Sequence, residues 1–243
     1  MKGASNKYDF GQGIILNRAS TIQYGTITNI NGVVIPTSGT IVCWERFDIK
    51  VFNTSPNVGL LVSSTDNALS NLIGMSIKLN TSSNQQAAIQ FFYYNSAGTQ
   101  LLGASRDSGE FVRNTAINCY IITYRQISGN TEFAIYANGV SVGGATVSSM
   151  VDKPSTFSNL AYVGSDRLSA GRYAPGVMGE MRFISSYITT QQVKDHWNNG
   201  KGSNNLDSLT HIFGYKFEGN GNDFSGNSRT LTLTGVPTYE TFN

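Results

Sequence analysis

The sequence predicts an all-β protein: a two-sheet antiparallel jelly-roll sandwich with one short helix near residues 189–199. Three observations predict it. Apolar residues recur at every second position in short runs, the period of a strand with one buried face. Asn-Gly, Ser and Pro turn signals separate those runs. Charged residues are only 13 % of the chain, about half the usual share. The polar surface therefore comes from Asn, Ser, Thr, Gln and Gly, which suit turns and sheet faces rather than long exposed helices.

The elements follow in order. TIQYGTITNI (21–30) alternates, Asn31-Gly32 signals a hairpin turn, and VVIP (33–36) is the expected return strand. In TIVCWERFDIKVF (40–52), Ile41, Cys43 and Glu45 fall on one face, and Val42, Trp44 and Arg46 on the other. VGLLVSS (58–64), LIGMSIKLN (72–80) and AAIQFFYYN (87–95) come next, with Phe91 and Tyr93 opposed to Phe92 and Tyr94. A Ser96-Ala97-Gly98 turn leads into LLGAS, then EFVRN and CYIITYRQI (119–127). TEFAIYANGVSV (131–142) reads as two strands joined at Asn138-Gly139. LAYVG (160–164) and VMGEMRFISSYI (177–188) complete the middle.

TTQQVKDHWNNG (189–200) is the helix. Thr189 is its N-cap, with Gln192 returning a capping-box bond, Ile188 and Val193 forming a staple, and Gly200 ending it. Trp197 shares a face with Val193 and reads as a core residue. NNGKGSNNLDS (198–208) is loop, and strands resume with Phe213, Tyr215, Phe217 and LTLTG. The whole of 1–243 reads as one domain, with the C-terminal strands of 206–243 packing back onto it. A two-lobe division near 205 is the alternative, and that tail is too short to hold a core alone.

Composition narrows the function. Seventeen basic and fifteen acidic residues give a net charge of +2 without a basic stripe, so a nucleic-acid partner is not expected. No run is apolar enough for a membrane span. The start, MKGASNKYDF, carries no apolar stretch of a secretory signal, which points to synthesis in the cytoplasm. Cys43 and Cys119 read as small buried side chains, and whether they pair stays open.

Catalytic signatures are poor. The two histidines, His196 and His211, stand outside any metal-binding spacing. Glycoside hydrolysis needs two carboxyls across a sugar. Glu180 has Met178 and Arg182 on its expected face, and Glu45 and Asp48 lie on opposite faces. A pair of carboxylates from separate strands is the remaining catalytic route. No cofactor is expected apart from calcium, for which Asn220, Asn222 and Asp223 in GNGNDFSGN are the candidate ligands. The competing reading of that stretch is a pair of Asx turns. The candidate ligand-binding residues are Asp166, Arg167, Arg172 and Tyr173 in the irregular loop SDRLSAGRYAPG (165–176).

Three stretches together resemble the concanavalin A-like sandwich in its laminin-G-like branch. GTIVCWERF (39–47) is similar to the family's early strand, whose tryptophan enters the core. TEFAIYANGVSV is similar to its strand with an asparagine-glycine hairpin. LAYVGSDR and YAPGVMGEMRFISSYITTQQVKDHWNNG, within 160–200, resemble its late strands and threonine-capped terminal helix. HIFGYKFEGNGNDFSGNSRTLTLTG resembles the piece that usually opens such a domain, yet here it closes the chain. The E-x-D-x-E strand of the glucanase relatives is missing.

The resemblance implies a non-catalytic recognition or structural module. It would bind glycans or serve as a bacteriophage head, tail-fibre or decoration component, with homo-oligomeric or virion partners. The alternatives are a glycan-cleaving hydrolase or lyase and a pure subunit-packing protein.

Overall fold

The computed structural model of the protein describes residues 12–16, 23–47, 57–64, 71–80, 86–107, 117–147, 155–157, 160–165, 174 and 176–241. The described strands are β1 (Gln12–Leu16), β2 (Tyr24–Ile27), β3 (Ser38–Phe47), β4 (Asn57–Ser64), β5 (Leu72–Asn80), β6 (Gln86–Tyr94), β7 (Gln100–Asp107), β8 (Asn118–Ile127), β9 (Asn130–Ala137), β10 (Val140–Val147), β11 (Leu160–Val163), β12 (Gly176–Ile184), β13 (His211–Tyr215), β14 (Thr232–Thr234) and β15 (Thr238–Thr241). One short helix, α1, spans Thr190–Trp197. All recorded pairings are antiparallel.

One sheet runs β10-β9-β8-β3-β12-β1-β15, and the other β14-β2-β11-β4-β5-β6-β7. The arrangement is more elaborate than the plain two-sheet sandwich expected. β12 pairs along one side with β3; its other side is shared by β1, against Gly176–Met178, and β13, against Met181–Ile184. The late strands also enter both sheets, β15 beside β1 and β14 beside β2.

Side-chain parity builds the core. Ile41 and Cys43 of β3, Tyr120, Ile122 and Tyr124 of β8, and Phe133, Ile135 and Ala137 of β9 point inward from the first sheet. Ile73, Met75, Ile77, Ile89, Phe91 and Tyr93 meet them from the second. Phe91 lies 5.5 Å from Tyr124 and 6.0 Å from Phe133, centroid to centroid. Each such buried aromatic or large aliphatic contributes about 1.5–3 kcal/mol through removal from water.

The opposite parity of the first sheet forms a separate apolar layer. Val42, Trp44, Cys119, Ile121 and Tyr136 pack there with Ile188, Val193 and Leu206. The helix lies on this outer face. Thr189 caps it by accepting from the Gln192 amide, and Gln192 Oε1 accepts from the Thr189 amide at 2.9 Å. Asn198, at φ 44, ends the helix two residues before Gly200. Trp197 is half-buried and stacks on Trp44 at 5.3 Å. It also rests on the β9–β10 turn, where Asn138 and Gly139 take φ 51 and 77, the pattern of a type I′ hairpin. A Cβ at Gly139 would come within 2.8 Å of the Trp197 ring, so both conformation and space demand glycine there.

Two expectations change. Asn31-Gly32 makes a turn, but residues 33–36 form no return strand on β2. Instead Val34 bridges to Thr156, and Ile35 donates to Ser155 O at 2.8 Å. A β-bulge between Met178 and Glu180 shifts the pairing with β3. Met178 therefore joins the inter-sheet core, leaving Arg182 and not Met178 beside Glu180. The periodic rule fails there because one extra residue reverses parity. EFVRN and Asp48 lie outside the described residues.

The cysteines do not pair: both are free and buried. Cys43 is registered with Tyr120 and Cys119 with Trp44, and the two thiols belong to opposite faces of the sheet.

Candidate binding groove

A shallow groove opens on the outer face of the first sheet, beyond the helix. Glu132, Phe133 and Ala134 of β9, Ala145 and Thr146 of β10, and Tyr187 line it. Register aligns its polar groups: Arg125 of β8, Glu132 and Thr146 form one row across three strands. Arg125 Nε donates to Glu132 Oε2 at 3.0 Å, and Nη2 lies 2.9 Å from the same oxygen in an ion pair. The guanidinium also lies over the Tyr187 ring, 4.6 Å from its centroid, a cation–π contact. The next row inward offers Ala134 and Gly144, a floor with almost no side chain.

Tyr187 is held from both sides along the chain. Thr40 donates to Ser186 O at 2.8 Å, and Thr123 Oγ1 accepts from the Ile188 amide at 3.1 Å. The two hydroxyls are 3.0 Å apart. Tyr136 Oη and Thr190 Oγ1, also 3.0 Å apart, fasten the start of the helix to β9. Burial, with Tyr136 beside it, pushes the Tyr187 phenol up, so it stays a neutral donor and acceptor at physiological pH.

A buried polar network supports the outer layer farther along the sheet. Glu180 and Arg182 are fully buried. Arg182 Nε and Nη2 donate to the two Glu180 oxygens at 2.5 and 2.8 Å, and Nη1 donates to Asp207 Oδ1 at 2.6 Å. Burial alone raises a carboxyl's pKa, but the adjacent Arg182 guanidinium, together with His196, outweighs it and holds Glu180 well below the usual carboxylate range. Trp44 Nε1 donates to His196 Nε2 at 3.0 Å. The same Nε2 lies 3.4 Å from Glu180 Oε1, and His196 Nδ1 faces Asn205 Oδ1 at 3.2 Å. Phe224 covers the outside, its centroid 4.9 Å from the Arg182 guanidinium carbon and 5.3 Å from Lys216 Nζ.

Glu45 differs. It is buried between the sheets, and among the described residues neither carboxyl oxygen has a hydrogen-bond partner of good geometry. Burial pushes its carboxyl well up, partly offset by the neighbouring Tyr120 hydroxyl. Glu45 and Glu180 thus occupy opposite faces of one sheet, and neither reaches solvent.

Among the residues singled out from the sequence, Asp166, Arg167, Arg172 and Tyr173 lie outside the described residues. The ends of their loop are tied, since Ala174 N donates to Gly164 O at 2.8 Å. Asp223 organises its own loop: Oδ1 accepts from the Gly214 and Ser225 amides at 2.9 Å, and Oδ2 from Ser225 Oγ at 2.7 Å and the Arg229 amide at 2.9 Å. Asn220 Oδ1 accepts from the Asn222 amide at 2.9 Å, and Asn222 is exposed. Among the described residues no three His, Cys, Asp or Glu side chains gather as a metal site. The groove residues Arg125, Glu132, Thr146 and Tyr187 were not singled out. The Arg125–Glu132 pair was readable as opposite charges equidistant from the Ser128-Gly129 turn; the approach of Tyr187 was not.

Comparison with known proteins agrees with this architecture. A laminin-G family model, described as the concanavalin A-like lectin/glucanases superfamily, matches residues 21–194. No curated protein matches the sequence. Among solved structures, a heptameric SAP-like pentraxin from Limulus polyphemus is similar at 10 % identity and a TM-score of 0.63, over 98 % of this chain and 97 % of that one. A putative carbohydrate binding protein from Bacteroides ovatus shares 17 % identity at a TM-score of 0.64, over 97 % of this chain and 61 % of that one. Tailspike protein 2 of an Escherichia coli O157:H7 bacteriophage shares 15 % identity at a TM-score of 0.56, over 86 % of this chain and 27 % of that one. This chain thus spans less than two thirds of the latter two proteins. At such identities these likenesses speak to fold. With most of its length matched by the family model, the chain belongs to the concanavalin A-like lectin/glucanase superfamily.

Proposed function

We propose that this jelly-roll domain is a non-catalytic recognition module that holds a glycan in the groove beside Tyr187. The observation that carries the reading is the groove itself: a half-exposed aromatic ring, a fixed charged pair and a hydroxyl around a floor of small residues. Sugars bring apolar ring faces and outward hydroxyls, and such sites pair an aromatic surface with a few fixed polar groups. The backbone bonds flanking Tyr187 support a site assembled before the ligand arrives.

A non-catalytic role is supported by Glu45 and Glu180, which face away from each other and from solvent. The C-terminal strands pairing into both sheets support 1–243 working as one unit. The low charge and the likeness to a phage tailspike favour a role within a virion, as one copy among several. The test is a glycan panel with Tyr187→Ala as control. Saturable binding lost in the variant is expected, without release of reducing ends. Reducing ends from any polysaccharide would overturn the non-catalytic reading, and light scattering reads the assembly state.

A further inference from the structure

Resting on glycan recognition at this groove, we infer that it selects uncharged sugars, with Glu132 as the specificity-determining residue that accepts a sugar hydroxyl and excludes acidic ones. The argument is how the charges are already committed. Arg125 is the one cation beside the groove among its described neighbours. Its Nε donates to Glu132 Oε2, its Nη2 lies 2.9 Å from that same oxygen, and its face lies on Tyr187. The pair is formally neutral, so among the described residues no spare cation beside the groove is left to receive a sugar carboxylate or sulfate.

Among the described residues, nothing donates a hydrogen bond to the other oxygen, Glu132 Oε1. It belongs to a side chain that is 38 % exposed and lines the groove. Thr146 sits directly opposite on β10 and is exposed, adding a hydroxyl that can donate or accept. A carboxylate fixed at one oxygen by arginine and open at the other is an acceptor of set direction, and hydroxyl donors satisfy it. An anionic sugar would bring a second negative charge against it. Losing that hydrogen bond should weaken binding roughly tenfold or more. Removing the carboxylate altogether frees the Arg125 fork, whose geometry matches a sugar carboxylate.

The experiment measures binding of the full chain to neutral oligosaccharides (lactose, maltotriose, laminaritriose and a wider neutral panel) and to acidic ones (3′-sialyllactose and trigalacturonate). It compares the parent protein with Glu132→Gln, Glu132→Ala and Tyr187→Ala, each checked for unchanged thermal unfolding. The expected result is Tyr187-dependent binding confined to neutral sugars. Glu132→Gln should weaken it roughly tenfold, and Glu132→Ala should gain affinity for acidic sugars. Tyr187-dependent binding of acidic sugars by the parent, or neutral binding indifferent to Glu132→Gln, overturns the selectivity and leaves glycan recognition standing. Absence of Tyr187-dependent binding to any sugar overturns the recognition reading and this inference with it.

Discussion

Replacing Arg182 by Met should destabilise the protein and reverse the pH dependence that Glu180 contributes. Arg182 holds both oxygens of a fully buried carboxylate at 2.5 and 2.8 Å. Without it, a charge is left in the layer between sheet and helix. Removing one partner of a buried pair costs about 3–5 kcal/mol. The bond to Asp207 adds little, because that side chain is 35 % exposed and water screens it. Set against a total stability of roughly 5–15 kcal/mol, the loss is large. At this chain length it should lower the melting temperature by roughly 6–20 °C.

The sign with pH is the sharper discriminator. Glu180 is held below the usual carboxylate range. Its contribution is therefore present above the unfolded pKa of about 4.3 and is lost as pH falls through the folded value. In Arg182→Met the guanidinium no longer opposes burial; His196, 3.4 Å from Glu180 Oε1, remains, and burial, the largest influence, raises the carboxyl. The variant then loses stability as pH rises above about 4.3. Urea denaturation at acidic and neutral pH measures both effects. The gap between parent and variant should widen with pH, and Glu180→Gln combined with Arg182→Met should recover most of it. An equal gap at both pH values, or a silent Arg182→Met, refutes the reasoning.

Glu45 should behave in the opposite sense to Glu180. With its folded pKa raised, the parent loses stability as pH climbs from about 4.3 towards the folded value. Glu45→Gln should stabilise by about 1–2 kcal/mol at pH 8 and change little at pH 4.5, as read by denaturant melts. Asp223→Ala removes the acceptor of four hydrogen bonds in the loop after β13. It should cost about 2–3 kcal/mol and speed amide exchange at Ser225 and Arg229. Reductant should leave the melting temperature unchanged, and both thiols should react with a thiol reagent only after unfolding.

Local chemistry carried much of this protein. Alternation placed Ile41 and Cys43 opposite Val42 and Trp44, because neighbouring residues on a strand face opposite sides whatever the strand packs against. The Thr189–Gln192 capping box and the Asn138-Gly139 turn were likewise readable, since each is complete within four residues. The tertiary structure decided what depends on distant partners or on a break in the period. The bulge before Glu180 moved Met178 into the core, and residues 33–36 paired with 155–157 instead of with the strand before them. Tyr187 came to lie over Arg125, sixty-odd positions away, because Thr40 and Thr123 happen to share a sheet face. A groove drawn from four separate segments leaves no periodic trace in any one of them, since side-chain parity specifies a face and only the packed sheets specify what shares it.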